Sequence, residues 1–223
     1  MTITNEGYAI ISDDTHIGKW VKQNKRLDFD QNTLPFILKY IKKGDVIIDA
    51  GANIGAYSYA FLNKTEDGLV VSFEPNQDAF ECLSYNLQFY KNSVVFNCAL
   101  GDKSGKVSIV KDKNAGATHC VFDPVGDINM RTIDSYNLQK VDFIKIDVEG
   151  FESFVLTGAI KTIQKFKPTM LIEINRGALE KNGMTSENIF SFLYMMGYSC
   201  KNIYPNEIMG GEQYDIICEY LTQ

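Results

Sequence analysis

The join DVIIDAGANIGAYSYAFL, Asp45 to Leu62, constrains the fold more than any other stretch of the chain. A short β-rich apolar run ends on an acid, Asp49. The chain then passes Gly51, Ala52, Asn53 and Gly55 and resumes with the apolar spacing of a helix. Two glycines at such a join cost backbone entropy on ordering, so the join is expected to serve a ligand. In an open α/β sheet, ligands bind outside the carboxyl ends of the strands, and the next helix aims its free N–H groups at the same edge. Asp49 would sit at that edge, with Gly51 and Gly55 letting the backbone turn tightly beside the ligand.

The rest of the sequence repeats this alternation. Short apolar runs at 69–74, 93–100, 141–147 and 168–175 predict strands. Helical patterns at 31–45, 76–90, 150–166 and 186–198 separate or flank them. Residue Asn76 or Pro75 would start the second core helix, and Ser186 would cap the last. Strands alternating with helices imply right-handed crossovers and a mainly parallel sheet. Two final runs, 199–205 and 214–221, have too little chain between them for a crossover and should close the sheet as an antiparallel hairpin. The domain proper would cover 45–223, with 1–44 as an extension that includes a helix and could act as a lid. Residues 101–130 are the least regular stretch, read as a short hairpin followed by a glycine-containing loop.

Glu74 ends the second core strand about 20 residues after the glycine loop, where a ribose diol is ordinarily received. A carboxylate accepts two hydrogen bonds and a diol donates two. Loop and acid together indicate an adenosine-bearing cofactor. The dinucleotide loop packs a pyrophosphate on the helix start, which an acid beside the first glycine would repel. An acid would help the amino group of a methionine-like tail, so the charge favours S-adenosylmethionine over NAD.

Composition narrows the partners. The 223 residues carry a formal charge of -6 with no basic stripe, which argues against duplex nucleic acid. The five cysteines are odd in number and have no CxxC spacing, which favours a reducing, cytoplasmic setting over a disulfide or zinc framework. The N-terminus has no basic and apolar leader pattern, and no apolar run approaches the ~20 residues of a membrane span.

The stretches GDVIIDAGANIGAYS, VVSFEPNQDAFECLSYNL, VVFNCALGDKSG, DFIKIDVEGFESFVLTGA and PTMLIEIN, in this order over roughly 43–175, resemble the FkbM family of class I S-adenosylmethionine-dependent methyltransferases. The resemblance implies a Rossmann-like seven-stranded sheet of order 3-2-1-4-5-7-6 with the seventh strand antiparallel. It implies that Asp49, Gly51 and Asn53 hold the methionine end of the cofactor and that Glu74 holds the ribose. Pro75, Asn76 and Leu100 would line the adenosine pocket, and Asp147 would lie under the methyl-transfer site. It also implies transfer to a hydroxyl oxygen of a small molecule or glycan. The alternatives are N-methylation, RNA methylation, or a module that binds the cofactor without turnover. The run DVEG stands where amino-group methylases often carry an NPPY-type motif.

A hydroxyl acceptor must lose a proton. KIDVEGFE supplies Asp147 and Glu149 at the end of the fourth strand, and Glu173 lies near the end of the fifth. These three could converge as a general base or as oxygen ligands of a divalent cation, which the sequence permits without requiring. Glu149 and Glu152 could equally complement a helix start. His119, in the irregular stretch, is a further catalytic candidate or a solvated loop residue, and His16 could belong to a substrate-covering segment.

Overall fold

The computed structural model describes residues 1–14, 16–30, 33–110, 119–203 and 211–221. A small antiparallel pair, β1 (Thr2–Ile3) and β2 (Ala9–Ile10), is followed by α1 (Ile17–Asn24) and α2 (Thr33–Ile37). The alternating core then begins with β3 (Val46–Ala50), α3 (Ala56–Thr65), β4 (Leu69–Phe73), α4 (Gln77–Leu87) and β5 (Ser93–Phe96). It continues, after an inserted segment, with β10 (Phe143–Ile146), α5 (Glu152–Thr157), α6 (Ile160–Phe166) and β11 (Thr169–Asn175). Helices α7 (Arg176–Lys181) and α8 (Ser186–Met195) and strands β12 (Tyr198–Asn202) and β13 (Gln213–Tyr220) complete it.

The seven core strands lie in the order β12-β13-β11-β10-β3-β4-β5. Numbered along the chain as one to seven, this is 3-2-1-4-5-7-6 read from the opposite edge. Only β13 runs against the others, pairing antiparallel with both β11 and β12. The alternation of side chains explains why both faces are covered. Ile48, Ile144, Ile146, Ile172 and Ile216 pack on α5, α6 and α8. Ile47, Val70, Phe143, Leu171 and Ile217 meet α2, α3 and α4.

The structure departs from the sequence reading in several places. The run 93–100 is not one strand. It breaks after Phe96, and β6 (Ala99–Leu100) joins a second sheet with β7 (Gly105–Val110), β8 (His119–Phe122) and β9 (Ile128–Arg131), in the order β6-β9-β7-β8. The stretch read as a hairpin and loop therefore supplies the antiparallel pair β7 and β8 and also β9, and the second sheet has its own core of Ala99, Val107, Cys120, Met130 and Phe151. Residues 111–118 of that stretch lie outside the described residues.

The helix read over 150–166 is two helices. The carboxylate of Asp134 accepts from Lys161 N and Thr162 N at 3.0 and 2.8 Å and so starts α6 afresh. The turn between them passes so close to the second sheet that a Cβ on Gly158 would lie 2.0 Å from Gly101 O. Helix 31–45 shortens to α2, because Lys39 N and Tyr40 N bond three residues back rather than four. Asn76 caps α4 as expected, its side chain accepting from Asp78 N at 3.0 Å. Thr185, not Ser186, caps α8, in a capping box with Asn188.

The N-terminal segment is fastened to the core. Asn86 on α4 accepts from Ala9 N at 2.7 Å and donates to Ala9 O and Ile54 O. Ala9, Ile10, Val21 and Leu27 bury against Ile54 and Cys82.

Candidate active site

At the carboxyl ends of β3 and β4 the glycine loop is pinned from both sides. Gly51 N and Ala52 N both donate to Phe73 O at 3.0 Å. Asn53 adopts φ +50°, a left-handed conformation that asparagine tolerates better than most residues. Glu74 Oε2 accepts from Asn53 N and Oε1 from Asn76 N, each at 2.8 Å. Each oxygen retains a lone pair for a further donor. Burial pushes the Glu74 carboxyl up to about 7, against the lowering effect of those two N–H bonds.

Lys145, in the middle of β10, organises the neighbouring acids. Its ammonium lies 3.0 Å from Asp147 Oδ2, 3.5 Å from Asp49 Oδ1 and 3.3 Å from Gly51 O, with the Tyr57 ring centroid 5.1 Å away. Burial alone would lower its pKa, but Asp147 and Asp49 more than offset that and hold it above the ordinary lysine range. Tyr57 donates to Asp30 Oδ2 at 2.8 Å, bringing the N-terminal segment over the same place.

The acid rim converges as expected. Asp147, Glu149 and Glu173 each offer an oxygen, and the three atoms lie within 4.8 Å of one another, a spacing that could hold a hard divalent cation. Glu149 stands at φ +52°, a left-handed conformation costing on the order of 1–3 kcal/mol for such a residue. Burial, and then the Asp147 charge, push its carboxyl up to about 8. The same two causes, in the same order, raise Glu173 well above the carboxylate range and Asp215 to about 7. Glu152 is fully buried; its Oε1 accepts from Val148 N and Gly150 N and shapes the turn that presents Glu149.

These groups surround a cavity of about 540 Å³, within the size range of small-molecule sites. Of the sequence candidates, Gly51, Ala52, Asn53, Glu74, Pro75, Asn76, Leu100, His119, Asp147, Glu149 and Glu173 line it, as does His16. Asp49 and Gly55 do not. Asp49 is fully buried and accepts from Ser58 Oγ at 2.5 Å, so the carboxylate expected beside the cofactor is turned into the protein and acts through Lys145. Gly55 serves packing: a Cβ there would lie 2.9 Å from Leu83 Cδ1 of α4. His119 lies on β8, in a wall that the second sheet contributes with Ile109 and Cys120. Sequence reasoning missed Lys145, Tyr57, Asp30 and Asp215. Lys145 carries a readable signal, a lone charge inside the apolar run FIKI.

The raised carboxyls set a pH dependence. Unfolded carboxyls titrate near about 4.3. The folded values of Glu74, Glu152 and Asp215 are about 7 and that of Glu149 about 8, so folding takes up protons. Their contribution to stability is therefore intact below the unfolded value and is lost as pH rises through the folded values. Thermal melts of the ligand-free chain should show Tm falling between about pH 5 and about pH 9; a Tm that climbs over that window would contradict these shifts.

A mainly parallel seven-stranded sheet of this order, with its last strand antiparallel and a glycine loop at its carboxyl edge, is the class I methyltransferase fold. The Methyltransferase FkbM domain model matches residues 49–200, and the chain belongs to that family. It is similar to the hexuronic acid methyltransferase AglP of Haloferax volcanii, at 29% identity over 161 residues, 69% of this chain and 65% of that protein. It is also similar to the 2-O-methyltransferase NoeI of Sinorhizobium fredii, at 26% identity over 154 residues, covering 58% and 63% of the two chains. The chain thus spans a little under two thirds of the length of these relatives. A crystal structure of methyltransferase FkbM from Methylobacillus flagellatus superposes with a TM-score of 0.55 at 19% identity, covering 79% of this chain and 44% of that one.

No helix among the described residues is long and apolar enough to cross a membrane.

Proposed function

We propose that the chain transfers a methyl group from S-adenosylmethionine to a hydroxyl oxygen of a sugar-bearing acceptor. The observation that carries this reading is one cavity lined both by a ribose-type acid, Glu74, and by the acid rim of Asp147, Glu149 and Glu173. The names of the two relatives, one a hexuronic acid methyltransferase and the other a 2-O-methyltransferase, support a sugar and an oxygen.

The lining fits the donor's chemistry. Glu74, held open by two N–H groups, would receive the ribose diol. Leu100, Ala99 and Cys98 offer an apolar wall for a flat base. Asp147 would face the charged tail, and Lys145 fixes its orientation at 3.0 Å. The donor supplies a methyl group on a sulfonium, which leaves by in-line displacement, so the protein's main task is alignment.

Glu149 is the group best suited to take the acceptor's proton. Its pKa of about 8 lies near neutrality, where a general base works best. Asp147 already has an ammonium beside it and is better suited to holding the donor. Asn175 Nδ2 lies 3.5 Å from Glu149 Oε2 and can help hold that carboxylate in place.

Calorimetry tests the donor assignment. S-adenosylhomocysteine should bind and NAD should not, and Glu74→Ala should weaken binding by about 1–3 kcal/mol. Tight NAD binding would overturn the reading; an unchanged affinity in Glu74→Ala would move the ribose elsewhere. Donor binding with no S-adenosylhomocysteine released from any sugar acceptor would favour a binding module.

A further inference from the structure

The hairpin that closes the sheet brings two thiols face to face. Cys200 of β12 is in direct register with Cys218 of β13. In an antiparallel ladder, directly opposed pairs alternate between those that exchange backbone hydrogen bonds and those that do not. Leu221 N donates to Gly197 O at 2.9 Å and Ile203 N to Asp215 O at 3.2 Å, so these two opposed pairs are of the hydrogen-bonded kind. Counting inward by twos from either end makes Cys200 and Cys218 a non-hydrogen-bonded pair. Such pairs hold their Cα atoms about 4.5 Å apart, with the side chains at their closest. That separation lies inside the roughly 4.4–6.8 Å that a disulfide spans.

The two thiols differ in access and in acidity. β12 is the edge strand, and Cys200 is partly exposed while Cys218 is fully buried. On its other side Cys218 is in register with Met170, whose thioether is a weak acceptor. The Cys218 S–H therefore goes to the Cys200 sulfur. That bond lowers the Cys200 thiol below its ordinary value, while burial, and then the same bond, raise Cys218 well above it. The other three cysteines are buried. Burial pushes Cys82 up to about 11 and Cys120 up to about 12 and raises Cys98 as well, which leaves them inert. An accessible thiol with a second thiol in bonding reach is the arrangement of a peroxide-reactive cysteine beside its resolving partner.

We propose that Cys200 and Cys218 form an oxidation site, at which hydrogen peroxide closes a reversible disulfide across the β12–β13 ladder. The Cys200 thiolate attacks one peroxide oxygen; an S–O bond forms, the O–O bond breaks, and hydroxide leaves to become water. The Cys218 sulfur then attacks the Cys200 sulfenic acid; the S–S bond forms, the S–O bond breaks, and a second water carries off the Cys218 proton. Two thiols give up two electrons and one peroxide takes them. The bridge closes the loop 201–217, which carries the cavity residues Gln213 and Asp215. The inference concerns the edge of the sheet and does not depend on the methyltransferase reading.

The test treats the full reduced chain with hydrogen peroxide, alkylates it with N-ethylmaleimide after denaturation and maps the peptides by mass spectrometry. Two of the five thiols should be lost, in a single bridge joining Cys200 to Cys218 within one chain, and dithiothreitol should restore both. Cys218→Ser should stop at a sulfenic acid on Cys200 that dimedone traps, and Cys200→Ser should lose no thiol. Cys82→Ser, outside the pair, should still lose two. The oxidised chain should melt above the reduced chain, because the bridge restricts the unfolded state. The proposal is overturned by five intact thiols under peroxide that fully oxidises glutathione, by a bridge between any other pair or between chains, or by sulfinic acid on Cys200 with Cys218 still free. A lower melting point on oxidation also overturns it, since the strands would then have to leave their register to bridge. If the serine variants fail to fold, the peptide map of the unaltered chain still decides.

Discussion

Gly51→Ala should abolish detectable S-adenosylhomocysteine binding and lower the melting temperature sharply. Gly51 adopts φ +78°, and a Cβ there would lie 1.7 Å from Asp147 O and 2.8 Å from Asp147 C. Both atoms are backbone, so no side chain can swing aside. The loop cannot retreat either, since Gly51 N is bonded to Phe73 O and Gly51 O accepts from Lys145 Nζ. Left-handed strain and overpacking together should cost about 2–5 kcal/mol. Gly44→Ala is the matched control. It shares a positive φ of +80° but meets nothing within 4 Å, so about 1 kcal/mol should be lost with binding intact. If Gly51→Ala binds S-adenosylhomocysteine as the unaltered chain does, the close approach of loop and β10 is not what shapes the site.

That contact was only half legible in the sequence. The glycine loop, the strand preceding it and Glu74 were readable because each is local: an apolar run, a turn residue and an acid at a known offset. The core strands were readable because continuous apolar runs such as VVSF and FIKI need covering on both faces. Their order required the family resemblance together with the closing hairpin. What sits against Gly51 was not readable, because Asp147 is 96 positions away and its carbonyl is brought there by strand pairing.

The same limit explains Asp49. A carboxylate beside a glycine loop suggests an exposed charge, yet the direction of its side chain depends on Ser58 and Lys145, which only the folded sheet places. Beyond a short hairpin, the second sheet escaped notice because its strands alternate over a small core, so their apolar signal is diluted by exposed residues such as Lys106 and Arg131. The break between α5 and α6 depends on Asp134, far from both in sequence. The acid rim, by contrast, was anticipated from KIDVEG and the end of β11, and the three side chains do meet.

Glu149→Gln should lower turnover by about two to four orders of magnitude on a confirmed acceptor, the range expected when a positioned base is lost. The amide keeps the shape of the side chain and its place near Asn175, so S-adenosylhomocysteine affinity should change little. The pH profile distinguishes this from a structural effect. A base acts when deprotonated, and burial and the Asp147 charge hold Glu149 up to about 8. In the unaltered chain kcat/KM should therefore rise with pH and level off above that value, and in Glu149→Gln that limb should vanish. Asp147→Asn should behave differently. It removes the partner 3.0 Å from Lys145 and one cause of the raised Glu149 pKa, so donor binding should weaken and the limb should move to lower pH. Should Glu149→Gln retain the limb and near-full turnover, the proton goes to another group on the cavity wall, with Glu173 and His119 the next to substitute. Should Asp147→Asn erase the limb while Glu149→Gln keeps it, the two acids exchange roles, and Lys145 becomes the ammonium that tunes the base itself.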